Sequence, residues 1–297
     1  MTLNAKLRQM TVYNKNLIFD LGAHEGEDTQ YYLSRGFNVV AVEANPALAM
    51  KLREKFYQKI SEDRLVIVEA AISDAETDYV TFYENKSSSV WGTVVKSFDD
   101  RNHSLGTSSK EIQVPTIKMK QLFQNYGVPY YIKIDIEGMD LHALKQMADE
   151  KYKPKYISIE SEKVHFSKLV QEFEVLEALG YSSFQLVQQA TVYKQKIPQN
   201  SHEGLRIEYK FQRGSSGMFG SDLPGIWLSK QNALQRYRIV FSLYKLIGDA
   251  SLLRRIPFMN FCLRGAQRVI GIGLPGWYDT HATLEPKHET HLESNRT

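Results

Sequence analysis

Short apolar runs alternate with helix-like segments over the first two thirds of the chain, which is the pattern of a parallel sheet covered by helices. Five of these runs predict strands, at residues 17–21, 39–43, 65–71, 131–136 and 156–159. The segment after the first run stops at Gly36, and the segment after the second opens with Asn45 as N-cap and Pro46 at the first helical position. Three strand–helix units in this order predict an open α/β sheet.

The fourth predicted strand lies in the sequence YYIKIDIEGMD, residues 130–140, where apolar and charged positions alternate. Three isoleucines share one face, and the opposite face carries Lys133, Asp135 and Glu137. Strands of a parallel sheet are normally apolar on both faces. Because open α/β sheets bind ligands at the carboxyl ends of their strands, we predict that the two acids face a ligand and that Lys133 is their charge partner.

The turn after the first predicted strand has the sequence IFDLGAHEGEDT, residues 18–29, and indicates a bound small molecule. Gly22 and Gly26 allow a sharp turn and the close approach of a ligand to the backbone. A dinucleotide site would have G-x-G-x-x-G before a helix that binds phosphate, whereas Glu27 and Asp28 at this helix start would repel phosphate. A cofactor with no phosphate and a positive centre fits better, so the sequence predicts S-adenosylmethionine.

The next two strand ends supply further candidate cofactor contacts. Glu43 ends the second strand about 20 residues after the first glycine, where an acid can accept hydrogen bonds from both ribose hydroxyls. The third strand ends in EAAISD, so Ala71, Ile72 and Ser73 are candidates to line the adenine, with Ser73 as a polar contact. His24, inside the glycine turn, is predicted to contact the cofactor through its backbone.

The later parts of the chain have other patterns. Residues 213–225, RGSSGMFGSDLPG, are glycine-rich, which suits either a flexible cover over a site or a plain surface connection. Residues 232–276 are basic with apolar positions at helical spacing, which predicts a helix that packs on the domain or contacts an anionic membrane or a partner protein. From residue 279 the chain is polar, which predicts a disordered tail in which His281 is solvated.

These patterns divide the chain into an N-terminal segment (1–15), a main domain (16–231), a basic helical C-terminal extension (232–278) and a tail (279–297). The 297 residues have a formal net charge of only +3, which does not provide the field of a bulk nucleic-acid binder. Cys262 is the only cysteine, so disulfide frameworks within the chain are excluded. The first residues lack a secretory signal and no apolar run is long enough to span a membrane, which predicts a cytoplasmic protein, with peripheral membrane contact through the extension left open.

Taken together, these segments resemble the FkbM family of S-adenosylmethionine-dependent methyltransferases. The resemblance rests on FDLGAHEG, VEANP, EAAISD, SSSVWG and above all IKIDIEGMD, which is similar to the family's K-x-D-x-E-G-x-E signature, and it covers about residues 17–161. It implies a class I methyltransferase, an α/β Rossmann-like fold with a seven-stranded, mostly parallel sheet, an antiparallel last strand and helices on both faces. Asp140 stands where the family has Glu, so the role of that position is open.

The resemblance also implies O-methyl transfer to a hydroxyl of a small molecule or glycan, such as the sugar of a polysaccharide, glycolipid or secondary metabolite. The positions that correspond to cofactor contacts are Asp20, Gly22, Ala23, His24, Gly26, Glu43, Ala44, Ala71, Ile72, Ser73 and Asp135. Substrate and catalytic roles fall on Asp135 and Glu137.

Methyl transfer from a sulfonium requires the acceptor oxygen, methyl carbon and sulfur to be held in line, and an alcohol reacts faster when a base or a metal assists it. Asp135 is the first candidate, and Glu137 is a candidate base or sugar-binding residue. His165, just past the fifth strand, is a rival base because imidazole titrates near neutral pH. Paired carboxylates also suit Mg²⁺, although the sequence identifies no third ligand.

Two other functions remain open at the level of sequence. An RNA 2′-O-methyltransferase could use Lys133, Asp135 and Lys163, but the basic residues cluster at 236–268, away from the strand ends, so nucleic acid is not the expected partner. A non-catalytic cofactor-binding scaffold would hold Asp135 and Glu137 as a structural charge cluster. The expected partner is a small-molecule or glycan acceptor.

Overall fold

The computed structural model describes residues 12–162, 164–247 and 277–286. The strands found there are β1 (Tyr13–Leu21), β2 (Asn38–Glu43), β3 (Leu65–Glu69), β4 (Ala71–Ile72), β5 (Tyr79–Asn85), β6 (Ser109–Ile117), β7 (Val128–Ile134), β8 (Tyr156–Glu160), β9 (Ser183–Gln188) and β10 (Tyr278–Thr283). The α-helices are α1 (Glu27–Ser34), α2 (Pro46–Lys55), α3 (Tyr57–Ser61), α4 (Lys96–Ser104), α5 (Met119–Tyr126), α6 (Asp140–Gln146), α7 (Phe166–Ala178) and α8 (Lys230–Ile247).

Seven of the strands form one sheet in the order β3-β2-β1-β7-β8-β10-β9. The neighbours pair in parallel, except that β10 pairs antiparallel with both β8 and β9. The predicted seven-stranded sheet with an antiparallel last strand is therefore confirmed. Strand order reverses between β1 and β7, so the carboxyl ends of these two strands border the crevice in which such sheets bind ligands.

Helices cover both faces of the sheet, because the strands present apolar side chains on each face. Ile132 and Ile134 of β7 belong to a buried cluster with residues of α5, α6, α7 and α8, on what we call the α5 face. Ile18 and Tyr131 belong to a second cluster with residues of α1 and α2, on the α1 face. The prediction of helices on both faces is confirmed.

A small second sheet, in the order β4-β6-β5, is inserted between β3 and α5. The third predicted strand, at 65–71, is divided between the two sheets, because β3 ends at Glu69 and β4 pairs with β6 instead. The insertion therefore begins beside the cofactor crevice, and Ala71 and Ile72 are its first residues.

The glycine-rich segment 213–225 packs into the domain and is neither a flexible cover nor a plain surface connection. Phe219 is fully buried and its ring stacks on Tyr131, with 4.4 Å between ring centroids. Asp222 accepts a hydrogen bond from the guanidinium of Arg35 at 2.9 Å, and both side chains are fully buried. The segment completes the α1 face beside α1.

The prediction of a disordered tail from residue 279 is wrong for the part of the tail that the structure describes. β10 lies inside the sheet, and the main domain does not end at residue 231 because this strand completes it. Its polar residues find partners far away in the chain: Thr280 Oγ1 lies 2.8 Å from Ser161 Oγ and 2.8 Å from Tyr237 Oη. His281 is buried, and burial lowers its pKa to about 3, so this side chain is a neutral core residue.

The predicted basic extension begins as helix α8. Ala233, Tyr237 and Phe241 are buried, so the first half of α8 packs on the domain. Residues 248–276, like residues 1–11 and 287–297, lie outside the described residues, so contact of the extension with a membrane or partner stays a prediction. In the described part of the chain, no helix combines the length and apolarity needed to cross a membrane.

A charge introduced into β10 tests whether this polar sequence is an interior strand. Ala282 is fully buried on the α5 face, so Ala282→Asp should lower the free energy of unfolding by at least about 3 kcal/mol or prevent folding. Ala190 is exposed, so the control Ala190→Asp should change the free energy of unfolding by less than about 0.5 kcal/mol. Urea unfolding followed by circular dichroism measures both, and equal stability of the two variants would contradict the placement of β10.

Candidate active site

A pocket opens at the carboxyl ends of β1, β2 and β7, at the point where strand order reverses. Its empty volume is about 750 Å³, part of which is open to solvent. Four parts of the chain form its walls: the turn after β1, the end of β2, the inserted sheet, and the turn after β7. The lining includes Gly22, His24, Glu43, Ala44, Ala71, Ile72, Ser89, Thr93, Asp135 and Glu137.

Gly22 holds the ends of β1 and β7 against each other. Its φ is +81°, and a Cβ at this position would lie 1.8 Å from the carbonyl oxygen of Asp135. The backbone N–H of Asp135 donates to the carbonyl of Leu21 at 3.0 Å, which fixes that approach. Glycine is needed here because two backbones meet, and this contact places Asp135 at the pocket wall.

Glu43 is buried at the end of β2, with its carboxylate oriented by two backbone donors. One oxygen accepts the N–H of His24 and the other accepts the N–H of Asn45, both at 2.8 Å. Burial raises the pKa of Glu43. A carboxylate has about four acceptor positions, so each oxygen of Glu43 retains capacity toward the pocket.

His24 connects the glycine turn to the serine-rich segment of the insertion. Its backbone is in the left-handed region, with φ +50°, and its Nε2 lies 2.8 Å from Ser89 Oγ. The carboxylate of Glu27, 3.9 Å from His24 Nδ1, raises the pKa of His24. The backbone N–H of His24 donates to Glu43, so the backbone of His24 orients the Glu43 carboxylate.

Lys133 lies at the centre of a buried charge cluster behind the pocket. Its Nζ is 3.5 Å from a carboxylate oxygen of each of three residues, Asp20, Asp28 and Asp135, and it donates to the carbonyl of Gly22 at 3.3 Å. Burial acts to lower the pKa of Lys133, but the surrounding carboxylates outweigh it and raise the pKa well above the ordinary value. The predicted role of Lys133 as charge partner agrees with this geometry.

The cluster extends to α1 and to the segment that covers it. Burial raises the pKa of Asp28 to about 6, and its two oxygens accept the N–H of Ser216 at 2.9 and 3.1 Å. Asp20 is fully buried, and one of its oxygens accepts a hydrogen bond from Thr29 Oγ1 at 2.6 Å. One ammonium therefore joins β1, β7 and α1, and through Asp28 also the segment 213–225.

The turn after β7 presents the two acids that the sequence singled out. β7 ends at Ile134, so Asp135 and Glu137 follow the strand, and Glu137 has a left-handed backbone with φ +44°. The carbonyl of Glu137 accepts a hydrogen bond from Thr93 Oγ1 at 2.8 Å, which ties the turn to the insertion. The Asp135 side chain is 42% exposed and lines the pocket, as does Glu137.

Asp140, the position left open by the sequence, stabilises this turn. Its carboxyl oxygens accept the N–H groups of Ile136 and Gly138, each at 3.3 Å. Burial, with the nearby charges of Asp135 and Glu160, raises the pKa of Asp140 to about 8. The shorter Asp side chain reaches its own turn, which gives this position a structural role.

Glu160, at the end of β8, adds a third carboxylate to Asp135 and Glu137. One oxygen from each of the three lies within 4.8 Å of the other two. The sequence identified no third ligand, because the approach of Glu160 to the other two acids depends on the spacing of β7 and β8.

Several predicted site residues do not line the pocket. Asp20 and Ala23 are buried beneath it, and Gly26 is the N-cap of α1, where a Cβ would lie 2.5 Å from the ring of Phe56. Ser73 is buried and its Oγ accepts the N–H of Ala75. His165 is exposed ahead of α7, where its N–H donates to Glu162. Their predicted contacts with cofactor or substrate stay predictions, and Lys163 lies outside the described residues.

Comparison with known proteins places this geometry in a family. A family model described as the methyltransferase FkbM domain matches residues 20–183. Among curated proteins, none matches the chain significantly. Similar solved structures include a precorrin-6Y C5,15-methyltransferase from Geobacter metallireducens, 13% identical over 60% of this chain and 70% of that chain, with a TM-score of 0.33. An O-methyltransferase from Bacillus cereus in complex with SAH is 15% identical over 58% of this chain and 67% of that chain, with a TM-score of 0.35.

Replacing Gly22 tests the contact between the ends of β1 and β7. Gly22→Ala should force the Asp135 carbonyl away, lower stability and weaken cofactor binding at least tenfold. Gly106→Ala is the matched control, because Gly106 has a similar φ of +88° but nothing within 4 Å of an added Cβ. Urea unfolding and calorimetric titration with S-adenosylhomocysteine compare the two. If both variants behave alike, backbone strain and not the close approach explains the glycine.

A buried acid on α7 predicts a pH dependence of stability that one substitution can isolate. Burial raises the pKa of Glu172, on α7, from its ordinary 4.5 to about 9. The stability that this group contributes is complete below pH 4.5 and is lost as pH rises toward 9. The glutamine of Glu172→Gln cannot titrate. The difference in free energy of unfolding between this variant and the wild type should therefore increase in the variant's favour by up to about 1.4 kcal/mol per pH unit between pH 4.5 and 9. Urea unfolding from pH 5 to 9 measures the difference, and parallel curves would contradict the pKa.

Proposed function

The chain belongs to the FkbM family of S-adenosylmethionine-dependent methyltransferases, and we propose that it transfers the methyl group to a hydroxyl of a small molecule or glycan. The observation that carries this proposal is a single pocket with an oriented acid, Glu43, on one side and the acids Asp135 and Glu137 on the other. The first suits the cofactor's ribose, and the other two suit a polar acceptor.

The half of the pocket at β2 and β4 suits the adenosyl group. Glu43 is held by the N–H groups of His24 and Asn45, so its remaining lone pairs meet two ribose hydroxyls without rearrangement. Ala44, Ala71 and Ile72 provide an apolar wall for the adenine. No phosphate site is needed, in agreement with the acidic first turn of α1.

The half of the pocket at β7 suits a hydroxyl acceptor. The reaction needs the acceptor oxygen in line with the methyl carbon and the sulfur, and a base to take the hydroxyl proton as the new bond forms. Asp135 lies beside Gly22 and Lys133, on the side of the pocket where this proposal puts the cofactor's methyl group. Glu137, held by Thr93 at the pocket wall, is the base in this proposal, and sugar hydroxyls are well matched to such carboxylates.

The alternative of RNA 2′-O-methylation has less support. It would use the ammonium of Lys133 near the ribose of the acceptor, but the Lys133 side chain is only 6% exposed and its charge is shared among three aspartates. A non-catalytic scaffold would bind the cofactor and show no turnover with any acceptor. Both alternatives are outcomes of the experiments that follow.

Glu43→Gln tests the ribose contact. The amide keeps one acceptor oxygen but replaces the other with a donor, so affinity for S-adenosylmethionine should fall at least tenfold, in line with about 1.5 kcal/mol or more for a hydrogen bond to a charged group. Calorimetric titration measures the affinity, and urea unfolding checks that the domain is intact. An affinity within threefold of the wild type in a folded variant would place the ribose elsewhere.

An acceptor screen tests the class of substrate and the base together. S-Adenosylmethionine with a labelled methyl group is incubated with glycans, nucleotide sugars, glycolipids, hydroxylated metabolites and RNA, and we expect label on hydroxyls of the non-RNA acceptors. Glu137→Gln should then lower kcat at least about 100-fold, the usual contribution of a general base, with cofactor affinity unchanged.

The control for that screen is Glu111→Gln, which removes an acid from the exposed surface of β6 and should leave turnover unchanged. Label that appears only on RNA would support the first alternative and contradict the proposal. Full turnover in Glu137→Gln would show that another group is the base.

A further inference from the structure

Three carboxylates from two neighbouring strand ends converge at the acceptor side of the pocket. Asp135 and Glu137 follow β7, Glu160 ends β8, and one oxygen from each lies within 4.8 Å of the others. Metal–oxygen distances of about 2.0 to 2.6 Å separate the oxygens around a divalent cation by roughly 3 to 5 Å. The spacing of the three groups therefore matches one face of an oxygen-ligated cation site.

A fourth acid, Asp279, provides an independent indication of a cation. It is the Cα partner of Glu160 across the β8–β10 ladder, so both side chains lie on the α1 face of the sheet. The residue is 7% exposed, and no hydrogen-bond donor or ion-pair partner for its carboxylate is found among residues 12–162, 164–247 and 277–286. A buried carboxylate without a partner, close to further acids, is costly unless a positive charge offsets it.

The protein's own cation on this face is already shared. Lys133 Nζ lies 3.5 Å from the carboxylates of Asp20, Asp28 and Asp135, and the more distant Asp279 forms no ion pair with it. The Lys133 ammonium is therefore shared among three other acids, and it forms no ion pair with the buried Asp279.

We propose that Asp135, Glu137 and Glu160 bind a divalent cation, with Asp279 as an additional carboxylate beside it, and that this cation holds the acceptor hydroxyl. The ligands are all carboxylates, which favours a hard cation such as Mg²⁺, Ca²⁺ or Mn²⁺. The cation would orient the acceptor oxygen and lower the pKa of its hydroxyl group, and the proton would pass to the Glu137 carboxylate oxygen that does not bind the cation. This role rests on the proposed function, whereas binding of the cation does not.

The binding test uses the full-length protein without cofactor or acceptor. After treatment with EDTA and its removal, the protein is titrated with Mn²⁺, and free Mn²⁺ is measured by electron paramagnetic resonance. We expect one saturable site that Mg²⁺ or Ca²⁺ competes for, and an affinity that falls as pH is lowered because the ligands take up protons. Absence of a saturable site would overturn the proposal.

Variants connect the site to these residues. Glu160→Gln should weaken Mn²⁺ binding at least tenfold, and Asp279→Asn should weaken it while leaving the cation-free protein at least as stable as the wild type in urea. Glu285→Gln is the matched control: Glu285 pairs with Lys155 at the opposite end of the β8–β10 ladder and should leave binding unchanged. Equal binding by wild type, Glu160→Gln and Asp279→Asn would also overturn the proposal.

The two proposals fail separately. Methyl transfer to a hydroxyl that continues undiminished in EDTA, with no Mn²⁺ bound, would contradict the cation site and leave the proposed function intact. Saturable binding that Glu160→Gln abolishes, in a protein that methylates no hydroxyl, would support the cation site and contradict the proposed acceptor class.

Discussion

The ammonium of Lys133 is the interaction on which the site depends. A buried charge is stable only when it is paired, and this one is 3.5 Å from the carboxylates of Asp20, Asp28 and Asp135. Those acids come from β1, α1 and the turn after β7, so the ion cluster fixes the relative positions of the elements that border the crevice. Through Asp28 it also anchors Ser216 and the segment that closes the α1 face.

This arrangement separates a structural set of charges from a chemical one. The structural set is Lys133 with its three aspartates, of which only Asp135 is not buried, and Asp140, whose buried carboxylate accepts two N–H groups of the turn after β7. The chemical set lines the pocket, where Glu43 meets the cofactor and Asp135 and Glu137 meet the acceptor in our proposal. Asp135 belongs to both sets, which explains why a strand with an apolar sheet around it ends in alternating charges.

The sequence predicted most of the parallel part of the sheet because apolar periodicity, an N-cap and glycine turns are local signals. It missed β10 because YDTHAT is polar, and such a strand is stable inside the sheet through contacts with residues distant in sequence, such as Tyr237 and Ser161. Glu43 and Glu137 meet in one pocket as expected, since carboxyl ends of parallel strands share an edge. Thr93 was missed because its bond to Glu137 arises from the inserted sheet.

The central claim, that Lys133 is a structural counter-ion and not a catalyst, is tested most directly by the free energy of unfolding in urea of Lys133→Met, Asp28→Asn and the double variant. A buried cation removed from its acids should cost at least about 3 kcal/mol. The double variant should recover at least about 1 kcal/mol of the summed losses, as expected for residues in one ion cluster. Strictly additive losses, or a Lys133→Met protein as stable as the wild type, would contradict the account.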